Sequence, residues 1–338
     1  VANPNWGAAD TVMPRVTDAY YPNDGSGATF YGGPGSNTQP PNPRDISNHL
    51  YDSGDSYYAN RRRLSNMVWQ WGQFLDHDIT IVHTSSDNAD FAPIMISPGD
   101  PMMPMIPFHR SAPAAGTGTS ASNPREQVNS ITSYIDASNV YGSDAARAAA
   151  LRDTGNGGRM KTSAGNLLPF NTRGSDNAGG TAPNFFVAGD VRANEQSGLL
   201  AIHTLFVREH NRLADLLSID NPTWDDEQLY QTARKIVGAQ MQAITYNEFL
   251  PALLGKRKAR QLKPRRYHYD DTIDASIKKE FAASFYRFGH SMLPDDLTLP
   301  ALPGVEADSI SLLDSFFNPG VIASDADGST RHIDQLML

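Results

Sequence analysis

The chain has 338 residues, a 39% hydrophobic share and a net charge of −9, enough to bury a sizeable core in one large or two ordinary domains. It has no Lys/Arg block of the size a nucleic-acid groove needs, and no apolar stretch long enough to span a bilayer. The absence of cysteine excludes disulfides, thiolate metal ligands and a cysteine nucleophile.

Residues 1–60 are rich in Gly, Pro, Asn, Asp and Ser, with Asp24-Gly25 and Pro40-Pro41 as turn dipeptides. They read as an irregular N-terminal wrap. Arg61, Arg62 and Arg63, the densest basic run, read as a solvated cluster at a helix start. Leu64, Met67, Val68, Trp71, Phe74 and Leu75 follow at i, i+3, i+4, i+7 spacing, which predicts a buried amphipathic helix. That helix ends in WGQFLDHD, residues 71–78, with His77 between Asp76 and Asp78 and with Gln73 one turn upstream. Three ionisable side chains at the end of a buried helix are costly without partners, and a metal or cofactor is the economical explanation.

Loop-rich stretches cover 97–123 and 154–183. Between them Thr132, Tyr134, Asp136 and Ser138 alternate as oxygen donors. An ordinary strand or turn produces that pattern. So does a Ca²⁺ loop, with Asp78 completing it and Tyr134 contributing its main-chain carbonyl. Helical spacing returns over 199–217, 226–247 and 277–289. The last places Ile277, Phe281, Phe285 and Phe288 on one face before Pro294 stops the pattern. Strand-like alternation is scarce, so the predicted class is mainly α with long ordered loops. His203 and His210 lie seven apart and could share a helix face as a metal pair; the alternative is a structural role. His49, His83, His109, His268 and His332 have no motif around them and read as surface or loop residues.

Six segments together resemble one family. WGQFLDHD (71–78), TSYIDASNVYGS (132–143), GDVRANE (189–195), HTLFVREHNRLA (203–214), ARKIVGAQMQAITY (233–246) and FYRFGH (285–290) occur in the order and at the separations of the animal-type haem peroxidases, in the peroxidase–cyclooxygenase superfamily. The resemblance runs from about residue 60 to the end of the chain. The lack of cysteine departs from disulfide-bonded vertebrate members and points towards a bacterial-type branch.

The resemblance implies an animal haem peroxidase-like helical fold with the haem between distal and proximal helices. Residues 1–60 would wrap a catalytic domain over 61–338. His290 matches the proximal iron ligand, His77 the distal acid–base residue and Arg192 the distal arginine, with Gln73 helping to hold distal water or halide. Asp76 and Glu195 match positions that form ester bonds to haem b. Gln196 stands where one vertebrate branch carries a methionine that adds a sulfonium link; its presence argues against a third covalent bond and weakens the case for chloride oxidation. Arg287, three before His290, stands where cyclooxygenase-type members carry a radical-forming tyrosine, and is expected to pair with a haem propionate or the proximal face. Tyr286 is displaced by one residue, about 100° around a helix. Asp78, Thr132, Tyr134, Asp136 and Ser138 match a family calcium site.

The implied reaction is reduction of H₂O₂ with oxidation of small anions (iodide, bromide, thiocyanate) or phenolic donors through Compound I. The alternatives are a fatty-acid dioxygenase of the same superfamily and a secreted adhesion or scaffold protein retaining the fold. A secreted, extracellular or periplasmic protein is expected, although Val1 begins no recognisable signal peptide. The chain stops at Leu338 before any asparagine suited to orienting His290. A second chain or C-terminal fragment is therefore expected to complete the fold.

Overall fold

The computed structural model describes residues 3–19, 41–52, 54, 58, 60–102, 104–120, 122–262, 270–323 and 331–337. They form two units, one of residues 1–63, 80–133 and 271–291 and the other of 64–79, 134–270 and 292–338.

The first unit is loop-rich and tied by short antiparallel pairs. Thr11–Val12 pairs with Val128–Asn129, and Ile94–Met95 with Met105–Ile106. Its first helix, α1 (Pro43–Leu50), begins on Asn42, whose side chain accepts from Arg44 N, with Pro43 in the first turn. This Asn-Pro start is a strong helix signal, and it corrects the expectation of little regular structure before residue 60. Most of the remaining irregular wrap, 20–40, lies outside the described residues. Glu126 joins distant parts of the unit by pairing with both Arg15 and Lys279.

The single helix expected over 277–289 is two segments instead. Lys279–Ala283 is α-helical, Ser284 leaves the helical region at φ −131°, ψ −69°, and Phe285–Met292 continues as a 3₁₀ helix. Side chains three apart eclipse in a 3₁₀ helix, so the α-periodic stripe does not persist. Phe281 and Phe285 are exposed.

The second unit holds the main helical core. Helix α2 (Met67–Ile79) starts three residues after Leu64 and buries Trp71, Phe74 and Leu75 as the apolar spacing predicts. Two short helices follow, α3 (Ser138–Tyr141) and α4 (Ala145–Leu151). Helix α5 (Ser197–Asp220) packs on α2 through Phe206, whose ring stacks on Phe74 at 5.2 Å and meets Trp71 at 5.9 Å. Helix α6 (Asp226–Ile244) opens with a reciprocal capping box between Asp225 and Gln228. It passes into a π-helical turn at Thr245–Phe249. There the Thr245 hydroxyl donates to Met241 O and accepts from Trp71 Nε1, and the α pattern predicted to 247 ends three residues early, at Ile244. A second apolar cluster joins Trp69 of α2 to Leu297, Leu299 and Ile310 of the antiparallel pair Asp296–Leu299 and Asp308–Ser311, and to Leu312 directly after it.

Candidate active site

The last turn of α2 buries Asp76, His77 and Asp78 together. Successive helical residues point about 100° apart, so each carboxylate and the imidazole between them meets a different partner. Asp76 Oδ2 lies 3.8 Å from Arg192 Nη1. His77 Nδ1 is 3.6 Å from Asp190 Oδ1, and its Nε2 is 3.7 Å from Glu195 Oε2. Asp78 turns towards α3.

Arg192 is fixed by a two-point pair with Asp190: Nε donates to Oδ1 at 2.9 Å and Nη2 to Oδ2 at 2.8 Å. The Arg192 amide also donates to Oδ1 at 2.8 Å. Burial opposes the Asp190 charge, but Arg192 and His77 overcome it and hold the carboxyl well below the usual range. Burial likewise works against the Arg192 charge, and Asp190 more than restores it. Glu195 moves the other way: burial pushes it up against the pull of Arg192 and Gln73.

Asp190 is absent from the sequence-predicted set. The available signal was its position two residues before Arg192, directly after Gly189. A Cβ on Gly189 would lie 2.5 Å from Asn139 O and Val140 C. Glycine is what lets this turn press against α3, where Asp190 N donates to Asn139 O at 2.9 Å.

Gln73 shares the site but holds Glu195. Its Nε2 donates to Glu195 Oε2 at 2.7 Å and its Oε1 accepts from Gln196 Nε2 at 3.1 Å. Gln196 also donates to Gln70 Oε1 at 2.6 Å, while its own Oε1 accepts from Gly198 N as the N-cap of α5. Gln196 is therefore a buried clamp between α2 and α5.

At the predicted calcium loop, Asp78 Oδ2 accepts from Asp136 N and Ala137 N, and Oδ1 from Asn139 N and the Ser138 hydroxyl. Ala137 takes the left-handed conformation at φ 62° just before α3. Burial, then the neighbouring Asp136, push the Asp78 carboxyl up to about 7. The structure brings Asp78, Asp136 and Ser138 together, with exposed Tyr134 linked through its carbonyl to Asp136 N. Thr132 belongs to the first unit. Among the described residues no group of three or more His, Asp or Glu is arranged to hold a metal. A cation on this loop would draw on hydroxyl and carbonyl oxygens as well as the two carboxylates, the donor chemistry of Ca²⁺.

His203 and His210 do not form a metal pair. His210 uses both ring nitrogens, on the Tyr141 hydroxyl and on Gly158 O, each at 2.8 Å. His203 is fully buried edge-on to Phe74 at 4.9 Å. Burial lowers each to about 4.

His290, Arg287 and Tyr286 lie in the first unit, on the 3₁₀ helix. Arg287 is one 3₁₀ turn before His290, and burial together with the Arg287 charge lowers the imidazole pKa. Arg287 Nε donates to Ala282 O at 3.0 Å. Tyr286 packs against Phe281 and Phe288. Of the remaining histidines, His49 is exposed on α1, His83 is exposed, and His109 lies against Phe91. His332 is half-buried on the helix Arg331–Leu336, where Nδ1 bonds Val321 O, rather than in a loop. His268 lies outside the described residues. Arg61–Arg63 are exposed, in a turn ahead of α2.

The sequence model of the animal haem peroxidase family matches residues 1–338. A peroxidasin homolog of Caenorhabditis briggsae is 37% identical over 330 residues, covering 84% of this chain and 25% of that protein. Myeloperoxidase of Mus musculus is 36% identical over 326 residues, covering 86% of this chain and 45% of that protein. Among solved structures, peroxidase A from Dictyostelium discoideum superposes with a TM-score of 0.81 at 26% identity, over 98% of this chain and 65% of that one. A fatty acid alpha-dioxygenase from Oryza sativa superposes at 0.73 with 18% identity, over 98% of this chain and 56% of that one, a likeness of fold alone. The chain thus spans a quarter of the peroxidasin homolog and under half of the myeloperoxidase. With its mainly helical architecture and its whole length matched by the family's sequence model, the chain belongs to the animal haem peroxidase family.

Proposed function

We propose that this chain carries the peroxide-activating site of a haem peroxidase, which reduces H₂O₂ and oxidises small anions such as iodide, bromide and thiocyanate, or phenolic donors. The observation that carries the reading is the placing of His77 between Asp190 and Glu195, with the Arg192 guanidinium fixed beside it.

The donor set fits a haem. Three carboxylates, Asp76, Asp190 and Glu195, face one guanidinium. Asp190 is neutralised by its two-point pair. Asp76 and Glu195 share the same guanidinium with it, and three carboxylates against one guanidinium are expensive to keep charged in a buried site. Esters from these two carboxyls to a haem would remove that charge. His290 is the residue proposed to ligate its iron, and a bound haem would supply the redox chemistry.

The rest belongs to side chains. His77 Nε2 is the atom proposed to take a proton from a peroxide held beside it and to return it to the departing oxygen. Arg192 keeps a fixed positive charge near the peroxide oxygens. Gln73, through Glu195, sets where that carboxyl lies. Asp78 and the 132–138 loop are proposed to hold Ca²⁺ one residue from His77. Retention of His77, Arg192 and His290 supports a peroxidase over a scaffold. Arg287 in place of a tyrosine supports it over a dioxygenase.

The test is the visible spectrum of the haem-loaded protein before and after one equivalent of H₂O₂, then after iodide. The parent should give a Soret band that shifts with peroxide and recovers with iodide. His77→Ala should retain haem and react with peroxide roughly 10²–10⁴-fold more slowly. Reaction of His77→Ala at the parent rate would refute the assignment of the acid–base residue.

A further inference from the structure

The mechanism above uses one side of His77. The other side faces Asp190, a fully buried carboxylate outside the residue set that the family resemblance implies. Asp190 Oδ1 lies at the meeting point of three nitrogens: Arg192 N at 2.8 Å, Arg192 Nε at 2.9 Å and His77 Nδ1 at 3.6 Å. Its other oxygen takes Arg192 Nη2 at 2.8 Å.

A neutral imidazole carries its proton on one nitrogen only, and the neighbour of each nitrogen decides which. His77 has a carboxylate on both sides, Asp190 at Nδ1 and Glu195 at Nε2, at nearly equal distances. The two are not equal as anions. Asp190 is clamped in the charged form by Arg192, while burial pushes Glu195 towards its neutral form. Glu195 also spends one oxygen on Gln73 Nε2. The stronger, permanent acceptor is therefore on the Nδ1 side.

We propose that Asp190 is the positioning residue of this site: it holds the Nδ1–H tautomer of His77, which leaves Nε2 free to accept a proton, and it locks the Arg192 guanidinium at the same time. The separation of 3.6 Å is longer than a hydrogen bond. Bonds of this kind commonly tighten when a site is loaded. The backbone supports the assignment, because Gly189 admits the turn against Asn139 and Val140 and the Asp190 amide is tied to Asn139 O. The inference rests on the peroxidase reading for its consequence in turnover, and on geometry alone for the tautomer.

The first measurement therefore needs no haem. Histidine side-chain ¹⁵N spectra of the 338-residue chain, with His77 assigned by loss of its signals in His77→Gln, report which ring nitrogen is protonated. Protonated Nδ1 with bare Nε2 is expected; protonated Nε2 would overturn the proposal. In Asp190→Ala the Nδ1–H preference should be lost. The milder Asp190→Asn, which keeps an oxygen acceptor beside Nδ1, should restore part of it and guards against a variant that does not fold. In the haem-loaded protein the rate with peroxide should fall on the order of 10²-fold or more in Asp190→Ala, with the donor KM little changed. An unchanged tautomer and an unchanged peroxide rate in a folded Asp190→Ala would refute the assignment. A parent that shows the Nδ1–H tautomer but never reacts with peroxide would sink the peroxidase reading and leave the positioning role standing.

Discussion

The Asp78 carboxylate, on the last turn of α2, caps α3 through the Ser138 hydroxyl and three backbone amides. The residue before Asp78 is His77, so whatever fixes this carboxylate also fixes the end of the helix that aims the imidazole. Burial, then the neighbouring Asp136, push the Asp78 carboxyl up to about 7. A cation beside Asp78 would relieve that cost. Chelation is therefore expected to lower peroxide turnover before the protein unfolds, with turnover and circular dichroism followed in one sample. Saturating Ca²⁺ should stabilise the fold by roughly 3 kcal/mol at a hundredfold excess over Kd. Unchanged turnover after complete calcium removal would contradict the site.

Gly189 offers a test of how the polar site is pinned to the core. An added Cβ would meet backbone atoms of Asn139 and Val140 at 2.5 Å, and backbone cannot swing aside as a side-chain tip can. Gly189→Ala should destabilise the fold by roughly 1–3 kcal/mol, read as a lower midpoint in denaturant. Because Asp190 is the next residue, turnover should fall by more than the fraction unfolded accounts for. A variant of parental stability would show that the turn is not pressed against α3.

In the first unit, Glu280 ties a remote N-terminal stretch to the helix Lys279–Ala283. Its carboxylate accepts from Val16 N, Thr17 N and the Thr17 hydroxyl. Backbone amides, its own first and then those of Val16 and Thr17, lower its pKa from 4.5 to about 2. A depressed carboxylate contributes stability that is present above its unfolded pKa and is lost as pH falls through its folded one. Hydrogen exchange at Val16 and Thr17 should therefore stay slow, relative to intrinsic rates, down to about pH 4.5 and lose protection between there and about pH 2. Glu280→Gln should weaken protection at every pH. Equal protection in parent and variant at pH 6 would remove Glu280 from this role.

The sequence was informative where chemistry and helical period coincide. Leu64 to Leu75 set the buried face of α2, and that face carried Asp76, His77 and Asp78 to its end. Arg192 and Glu195 converge on the same place because their turn is compact, as their spacing in GDVRANE allows. Asp190 was not legible, since its role depends on an approach to Asn139 that only Gly189 permits. Gln196 looked like a mere substitution, yet its function is to cap one helix and clamp another. The 3₁₀ form of Phe285–Met292 was hidden because the break at Ser284 is a matter of backbone hydrogen bonding, which apolar spacing does not report.

The proposed covalent anchoring of the cofactor is the sharpest consequence of the charge arrangement. Asp76 and Glu195 share the single Arg192 guanidinium with Asp190, and burial pushes the Glu195 carboxyl up. Esterified, they would carry no charge, so the burial cost would disappear and a bound haem would be retained by bonds. Acidified organic solvent should leave the haem with the matured protein. Asp76→Asn combined with Glu195→Gln, which keeps shape but removes both nucleophilic oxygens' charge, should release it fully, while each single variant should still hold the haem by one bond. The two esters can be told apart by mass spectrometry of haem-bearing peptides, one containing residue 76 and one containing residue 195. Complete extraction from the matured parent would refute both bonds. Retention by the double variant would instead move the attachment to other side chains and remove the charge argument.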